Sequence, residues 1–109
     1  MTEVKLSITP IEGIPDNYRV VISGSGFEHA ANQEARWKIW GDDPVFDDRI
    51  VSPVGAGFVS VDGTFHFEAN AISGNLNEDW GKDQIYAIVS IGSLGSTTDY
   101  KSNTVSGYF

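Results

Sequence analysis

The sequence predicts an all-β fold, an antiparallel β-sandwich of Greek-key type. Hydrophobic and polar residues alternate along most of the chain, which is the period of strands that bury one face. Turn-forming Gly, Pro, Asn and Asp residues recur about every 8–12 residues and separate about seven or eight short strands. We find no long amphipathic helix and no internal repeat in the sequence.

The size and composition predict one domain that spans residues 1–109. The chain has 109 residues and a mass of 11.8 kDa, within the usual range for a single domain. Hydrophobic residues make up 40% of it and aromatic residues 12%, which is enough apolar material for a packed core. The absence of cysteine excludes disulfides, a thiolate metal site and a cysteine nucleophile.

The charge of the chain narrows the classes of partner. The formal net charge is -8 and the isoelectric point is about 4.4, so we expect neither nucleic acid nor an anionic membrane as a partner. Cations, neutral sugars and basic protein surfaces stay open. No apolar run approaches the roughly 20 residues of a membrane span, and the first residues lack the pattern of a signal peptide. We therefore predict no membrane insertion, and the compartment and oligomeric state stay open.

The first two predicted strands lie in VKLSITP, residues 4–10, and NYRVVIS, residues 17–23. Every second residue of each segment is large and apolar, and Pro10 and Gly13 interrupt the pattern between them. The alternation places these side chains toward the core: Val4, Leu6, Ile8, Tyr18, Val20 and Ile22.

The middle of the chain predicts a loop and two further strands. The segment EHAANQEA, residues 28–35, is too short and polar for an independent helix, so we expect a loop with at most one helical turn. ARWKIW, residues 35–40, is the next strand. RIVSP, residues 49–53, is predicted as a short strand that Pro53 ends, because proline lacks the N–H that strand pairing uses.

The second half predicts a hairpin and a central strand. Asp62-Gly63 lies between two alternating runs, GFVSV and TFHFEANA, which is a strong hairpin signal. QIYAIVSIG, residues 84–92, is apolar on both faces, as a central strand should be. We predict a turn in SLGSTTD and a last strand in YKSNTVSGYF. The predicted core comprises Leu6, Ile8, Val20, Ile22, Trp37, Ile39, Phe65, Phe67, Ile85, Ala87 and Val89.

One motif carries a resemblance to a known family. Ile8, Pro10 and Gly13 form an Ile-x-Pro-x-x-Gly turn, and VVISGSGF, residues 20–27, contains a Val-x-Ile-x-Gly-x-Gly-Phe pattern. Residues 6–27 thereby resemble the opening of IPT/TIG domains, a branch of the immunoglobulin-like fold. The resemblance implies an immunoglobulin-like sandwich in which Phe27 caps the core. Such domains occur in surface receptors, in transcription factors and as accessory modules of carbohydrate-active enzymes.

Two tryptophans lie close together in WKIWGDDPVFDDR, residues 37–49, but on opposite faces of the predicted strand. Trp37 shares its face with Ala35 and Ile39, so we expect it in the core, as immunoglobulin-like domains often bury a tryptophan on this strand. Trp40 falls on the polar face at the end of the strand. It is either a stacking surface for a ligand or a ring covered by a loop or a neighbouring cationic side chain.

Four aspartates follow Trp40 and form the candidate cation site. Asp42 and Asp43 precede Pro44-Val45-Phe46, and Asp47 and Asp48 follow it. Hard cations such as calcium require several converging oxygen ligands, and the pattern of an EF-hand is absent. Two interpretations stay open: a solvated acidic loop, or a calcium site at Asp42, Asp43, Asp47 and Asp48, which Glu78, Asp79 and Asp83 would join.

The function predicted from these residues is non-catalytic recognition of a carbohydrate or a protein surface. The candidate binding residues are loop aromatics and nearby acids: Trp40, Asp42, Asp43, Asp79 and Trp80. Trp80 lies in a polar loop, where it suits either recognition or a lid over the end of the sandwich. A calcium-binding module is the first alternative. A small hydrolase is the second, although no nucleophile–base pair or histidine metal set is visible, and we predict no enzyme and no required cofactor.

Overall fold

The computed structural model describes residues 1–41, 49–72, 83–93 and 95–107. This part of the chain contains eight strands and one turn of 3-10 helix, Glu28–Ala30. The strands are β1 (Glu3–Pro10), β2 (Asn17–Ser25), β3 (Glu34–Gly41), β4 (Arg49–Phe58), β5 (Phe65–Ile72), β6 (Asp83–Ser93), β7 (Ser96–Lys101) and β8 (Val105–Gly107).

The strands form two antiparallel sheets, as the sequence predicts. The smaller sheet has the order β1-β2-β5, and the larger has the order β4-β3-β6-β7, with β8 also paired to β6. Side chains from both sheets meet in one hydrophobic cluster, so the arrangement is a β-sandwich. The immunoglobulin-like Greek-key assignment stays a prediction.

The alternation placed the core correctly at most positions. Of the predicted core residues, Ile8 and Phe67 are only half buried and pack against the cluster, and the others lie inside it. Phe27 is also fully buried, and its ring lies 5.3 Å from that of Phe65 and 4.8 Å from that of Tyr100. The predicted capping of the core by Phe27 is therefore confirmed.

The prediction that Pro53 ends a short strand is wrong. β4 continues through this residue to Phe58. Among the described strands, β4 lies at the edge of its sheet and pairs with β3 alone, so a missing N–H can face away from the sheet. The register also shifts between Lys38 and Ile39, a bulge that places two unpaired residues of β4 at this point.

The predicted Asp62-Gly63 hairpin is wrong as well. The turn itself exists, because Gly63 N donates to Ser60 O at 3.0 Å and Ser60 N donates to Thr64 O at 2.8 Å. However, β4 pairs with β3 in one sheet and β5 pairs with β2 in the other. The turn therefore carries the chain from one sheet to the other. The residues of the turn do not determine which strand pairs with β4 or with β5.

The C-terminal strands differ from the prediction in their boundaries. β6 pairs with β7 up to Ser93 and Ser96, so the turn is much shorter than SLGSTTD. The predicted last strand is divided into β7 and β8, with residues 102–104 between them. β6 has β3 on one side and β7 and β8 on the other, which confirms it as a central strand.

Candidate functional site

Trp40 is the one predicted binding residue whose position the structure describes. Asp42, Asp43, Asp47, Asp48, Asp79 and Trp80 lie outside the described residues, as does Glu78, and the side chain of Asp83 is likewise not described. The predicted calcium site and the predicted role of the Trp80 loop therefore stay predictions.

The two tryptophans of β3 point to opposite sides of the larger sheet, as predicted. Trp37 is 5% exposed and belongs to the core cluster. Its ring stacks on Phe67, with centroids 6.4 Å apart and an interplanar angle of 20°. Trp40 lies on the opposite side, is half buried, and pairs across the sheet with Tyr86 of β6.

The surroundings of Trp40 contain a second aromatic ring and a cation. Tyr86 is 6% exposed yet lies outside the core cluster, because it alternates with the inward-facing Ile85 and Ala87. The Nζ atom of Lys101 lies 4.2 Å from the centroid of the Tyr86 ring, a cation–π contact.

We define the outer face of the larger sheet as the solvent side of β4, β3, β6 and β7. Its described apolar and aromatic residues include Trp40, Tyr86, Ile88, Val54 and Phe58. Val54 is 58% exposed and Phe58 is 67% exposed, so this surface presents large apolar side chains to water. Such exposed apolar groups on one face are typical of binding surfaces.

The charged residues of the outer face differ in whether a described side chain pairs with them. Arg36 pairs with Glu34 at 2.6 Å, and Ser90 Oγ donates to Asp99 Oδ1 at 2.6 Å. Lys38 is exposed and forms no salt bridge with any other residue whose side chain the structure describes. No described acidic side chain therefore holds the amine of Lys38.

The remaining ionisable groups do not converge on a catalytic arrangement in the described ranges. His66 and Glu68 face outward on β5, and their side chains lie 3.0 Å apart. This hydrogen bond lowers the pKa of Glu68 below its ordinary value. His29 Nε2 lies 3.5 Å from the Tyr100 hydroxyl. Within residues that the structure describes, no three His, Asp or Glu side chains are grouped to hold a metal.

A cavity of about 530 Å³ lies beside β1 on the smaller sheet. Its lining includes Lys5, Val21, Ser23 and Asn103. The Asn103 amide occupies the edge of β1 there, since Leu6 N donates to Asn103 Oδ1 at 2.8 Å and Asn103 Nδ2 donates to Leu6 O at 3.1 Å. These bonds give Asn103 a structural role, because they join β1 to the segment between β7 and β8.

The chain matches no family model and no curated protein sequence. The resemblance of residues 6–27 to IPT/TIG domains therefore stays a prediction. None of the helices in the described ranges has the length and apolarity of a membrane span.

Sequence reasoning found Trp40 but missed most of the surface around it. Alternation within β3 puts Lys38 on the same side as Trp40. Lys101 and Ile88 lie on other strands, and their proximity to Lys38 depends on the pairing of β3, β6 and β7. Val54 was missed because Pro53 was expected to end the strand. The uncharged run IVSPVGAGFVSV, residues 50–61, is a signal in the sequence that indicates an unusual edge strand.

Proposed function

We propose that this protein is a non-catalytic recognition module that binds a carbohydrate or a protein through the outer face of the larger sheet. The single observation that carries the proposal is the position of Trp40, which is half buried on the solvent side of the sheet and opposite Tyr86. A partly exposed indole on a rigid strand offers stacking area at little entropic cost.

Two further observations support a binding surface. Val54 and Phe58 expose large apolar side chains on the same face, and Lys38 and Lys101 place amines beside the apolar groups. Apolar area combined with aromatic residues and a polar rim is the usual composition of a recognition site. The calcium-binding and hydrolase alternatives gain no supporting observation from the described part of the chain.

The test is a labelled sample of the protein applied to a glycan array and to an array of short peptides of varied charge and hydrophobicity. We expect retention by a defined ligand class, and a loss of at least about tenfold in affinity for Trp40→Ala, the scale of an interface aromatic. His66→Ala, on the outer side of the smaller sheet, is the matched control and should bind normally. Circular dichroism and thermal melts establish that both variants fold.

Two results would contradict the proposal. One is the absence of any ligand on either array. The other is unchanged binding by a folded Trp40→Ala variant. Hydrolysis of generic ester or glycoside substrates by the purified protein would contradict its non-catalytic part.

A further inference from the structure

The outer face of the larger sheet has a charge balance unlike that of the whole chain. The sequence contains 7 Lys and Arg residues against 15 Asp and Glu residues. Among the described side chains, the outer face carries the three cations Arg36, Lys38 and Lys101 and the two acids Glu34 and Asp99. The other described side chains comprise two cations, Lys5 and Arg19, against six acids, so the negative excess of the described residues lies away from this face.

Neither lysine forms a salt bridge with a described side chain, and the Lys101 amine lies over the Tyr86 ring. The Arg36 guanidinium is held by Glu34, and the Asp99 carboxylate accepts a hydrogen bond from Ser90. Lys38 and Lys101 both pair with Ile88 in the backbone register, from opposite sides. Because adjacent strands lie about 4.8 Å apart, the two lysines are separated by roughly 10 Å at their Cα atoms.

Apolar and aromatic residues neighbour these two lysines in the sheet. Ile88 is half buried between the two lysines, and Val54 continues the same row beyond Lys38. Trp40 and Tyr86 form the neighbouring row. The surface thus combines an apolar centre with two cations, which suits a ligand that carries both carboxylates and apolar side chains.

We propose that the outer face binds an acidic, partly apolar extended segment of a protein partner. Carboxylates of the segment contact Lys38 and Lys101, and its apolar side chains pack on Ile88 and Val54. The proposal rests on the recognition function proposed above and names the chemistry of its partner.

Charge complementarity directs an acidic partner to this face and not to another part of the surface. The described surface outside this face is rich in acids and repels an acidic segment, whereas it would attract a basic partner. At physiological salt the Debye length is about 8 Å, so the repulsion from distant acids is screened and the lysines in direct contact dominate.

The test uses two labelled synthetic peptides of about twelve residues, long enough to cross four strands at roughly 3.3 Å per residue. Both carry Leu and Val at the same positions, and the charged positions are Glu in one peptide and Lys in the other. We expect the Glu peptide to bind at least about tenfold more tightly in fluorescence anisotropy, a difference of about 1.4 kcal/mol.

Charge reversals locate the site. Lys38→Glu and Lys101→Glu should each weaken binding of the Glu peptide by about tenfold, because like charges then oppose each other in the contact. Lys5→Glu is the matched control, since Lys5 is exposed on β1 of the smaller sheet and the reversal changes the net charge by the same amount. It should leave the affinity nearly unchanged.

The outcomes separate the inference from the proposed function. Tighter binding of the Lys peptide overturns the inference. So does a loss of affinity for the Glu peptide in Lys5→Glu that equals the loss in Lys38→Glu and Lys101→Glu. Equally effective competition by a single-stranded oligonucleotide also overturns it, since the face would then select negative charge alone. If a glycan is retained in a Trp40-dependent manner and neither peptide binds, the inference fails while the recognition function stands. If neither array nor peptide binds, both fail.

Discussion

Asp62 illustrates how a single side chain shapes a turn at the residue scale. Its carboxylate accepts hydrogen bonds from Thr64 Oγ1 at 2.7 Å and from Thr64 N at 3.2 Å. These bonds, the side-chain bond first, lower the pKa of Asp62 below its ordinary value. A carboxyl with a lowered pKa in the folded state stabilises the protein above its unfolded pKa of about 3.9, and this contribution is lost as the pH falls through the folded value.

The first prediction concerns this hydrogen bond. Thr64→Val removes the hydroxyl donor, so we expect the pKa of Asp62, measured from its carboxyl carbon shift by NMR, to rise toward the ordinary value. The stability difference between the variant and the wild type should shrink as the pH falls from 7 to 3. Thr9→Val, on an exposed position of β1, is the control, and an equal shift in that variant would contradict the assignment.

Gly55 allows the ring of Trp37 to pack closely against the backbone of β4. A Cβ atom at this position would lie 2.6 Å from Trp37 Cζ2 and 2.7 Å from Trp37 Cε2. Gly57 is similar, since its Cβ would lie 2.4 Å from Phe67 Cε1. The two glycines let the rings of the core lie directly on the backbone of β4.

The second prediction is that Gly55→Ala destabilises the protein by about 1–3 kcal/mol, the usual cost of overpacking. Ala56→Ser, which faces outward on the same strand, is the control and should change stability by less than about 0.5 kcal/mol. Trp37→Phe removes the atoms that the new methyl would meet. In a double-mutant cycle by urea denaturation we expect a favourable coupling of at least about 0.5 kcal/mol, and strict additivity would exclude the proposed clash.

At the scale of elements, the segment between β7 and β8 joins the two sheets by side-chain hydrogen bonds. Asn103 takes the place of a neighbouring strand at Leu6, as described above. Ser102 is buried, its Oγ accepts from Ala87 N at 2.8 Å, and its own N donates to Ala87 O at 2.9 Å. The interruption of the last strand therefore leaves these backbone groups of β6 and β1 satisfied.

The third prediction follows from these bonds. Asn103→Ala removes both partners of Leu6 and should cost about 1–3 kcal/mol, since the freed groups are partly buried. Amide exchange at Leu6 should accelerate more than exchange at Val20 in the neighbouring strand. Thr104→Ala, the adjacent exposed position, is the control. An unchanged exchange rate at Leu6 in a folded Asn103→Ala variant would show that the Asn103 side chain does not protect the backbone of β1.

The strands themselves were largely predictable, but their neighbours were not. Alternation identified the inward faces of β1, β2 and β3, because one-sided burial imposes a period of two on each strand alone. The Asp62-Gly63 turn was recognised, yet its strands belong to different sheets. A turn motif records the local reversal of the chain, whereas the choice of partner depends on contacts between distant segments.

At the scale of the whole molecule, the net charge of -8 opposes compaction. The fourth prediction is that the melting temperature rises when sodium chloride is increased from about 0.01 M to about 0.15 M, because the Debye length falls from about 30 Å to about 8 Å. Replacing two exposed acids of the β1–β2 turn, by Glu12→Gln and Asp16→Asn, reduces the repulsion and should reduce this gain. A melting temperature that falls with salt would contradict the explanation.

The position of the cations on one face is also a property of the whole molecule. Lys38 and Lys101 are distant in sequence and become neighbours of Ile88 only through the pairing of β3, β6 and β7. Sequence composition indicated an acidic protein and therefore favoured cations, sugars or basic surfaces as ligands. The described charges of the outer face instead favour an acidic partner there.

The sequence by itself determined the all-β class, the inward and outward faces of the first strands, the burial of Trp37 and the solvent side of Trp40. These properties depend on the alternation of residues within a strand, which is a local pattern. Only the tertiary structure decided the passage of β4 through Pro53, the separation of β4 from β5, and the grouping of Trp40, Tyr86, Lys38 and Lys101 on one face. Strand order and register depend on packing between distant segments, and no local period encodes them.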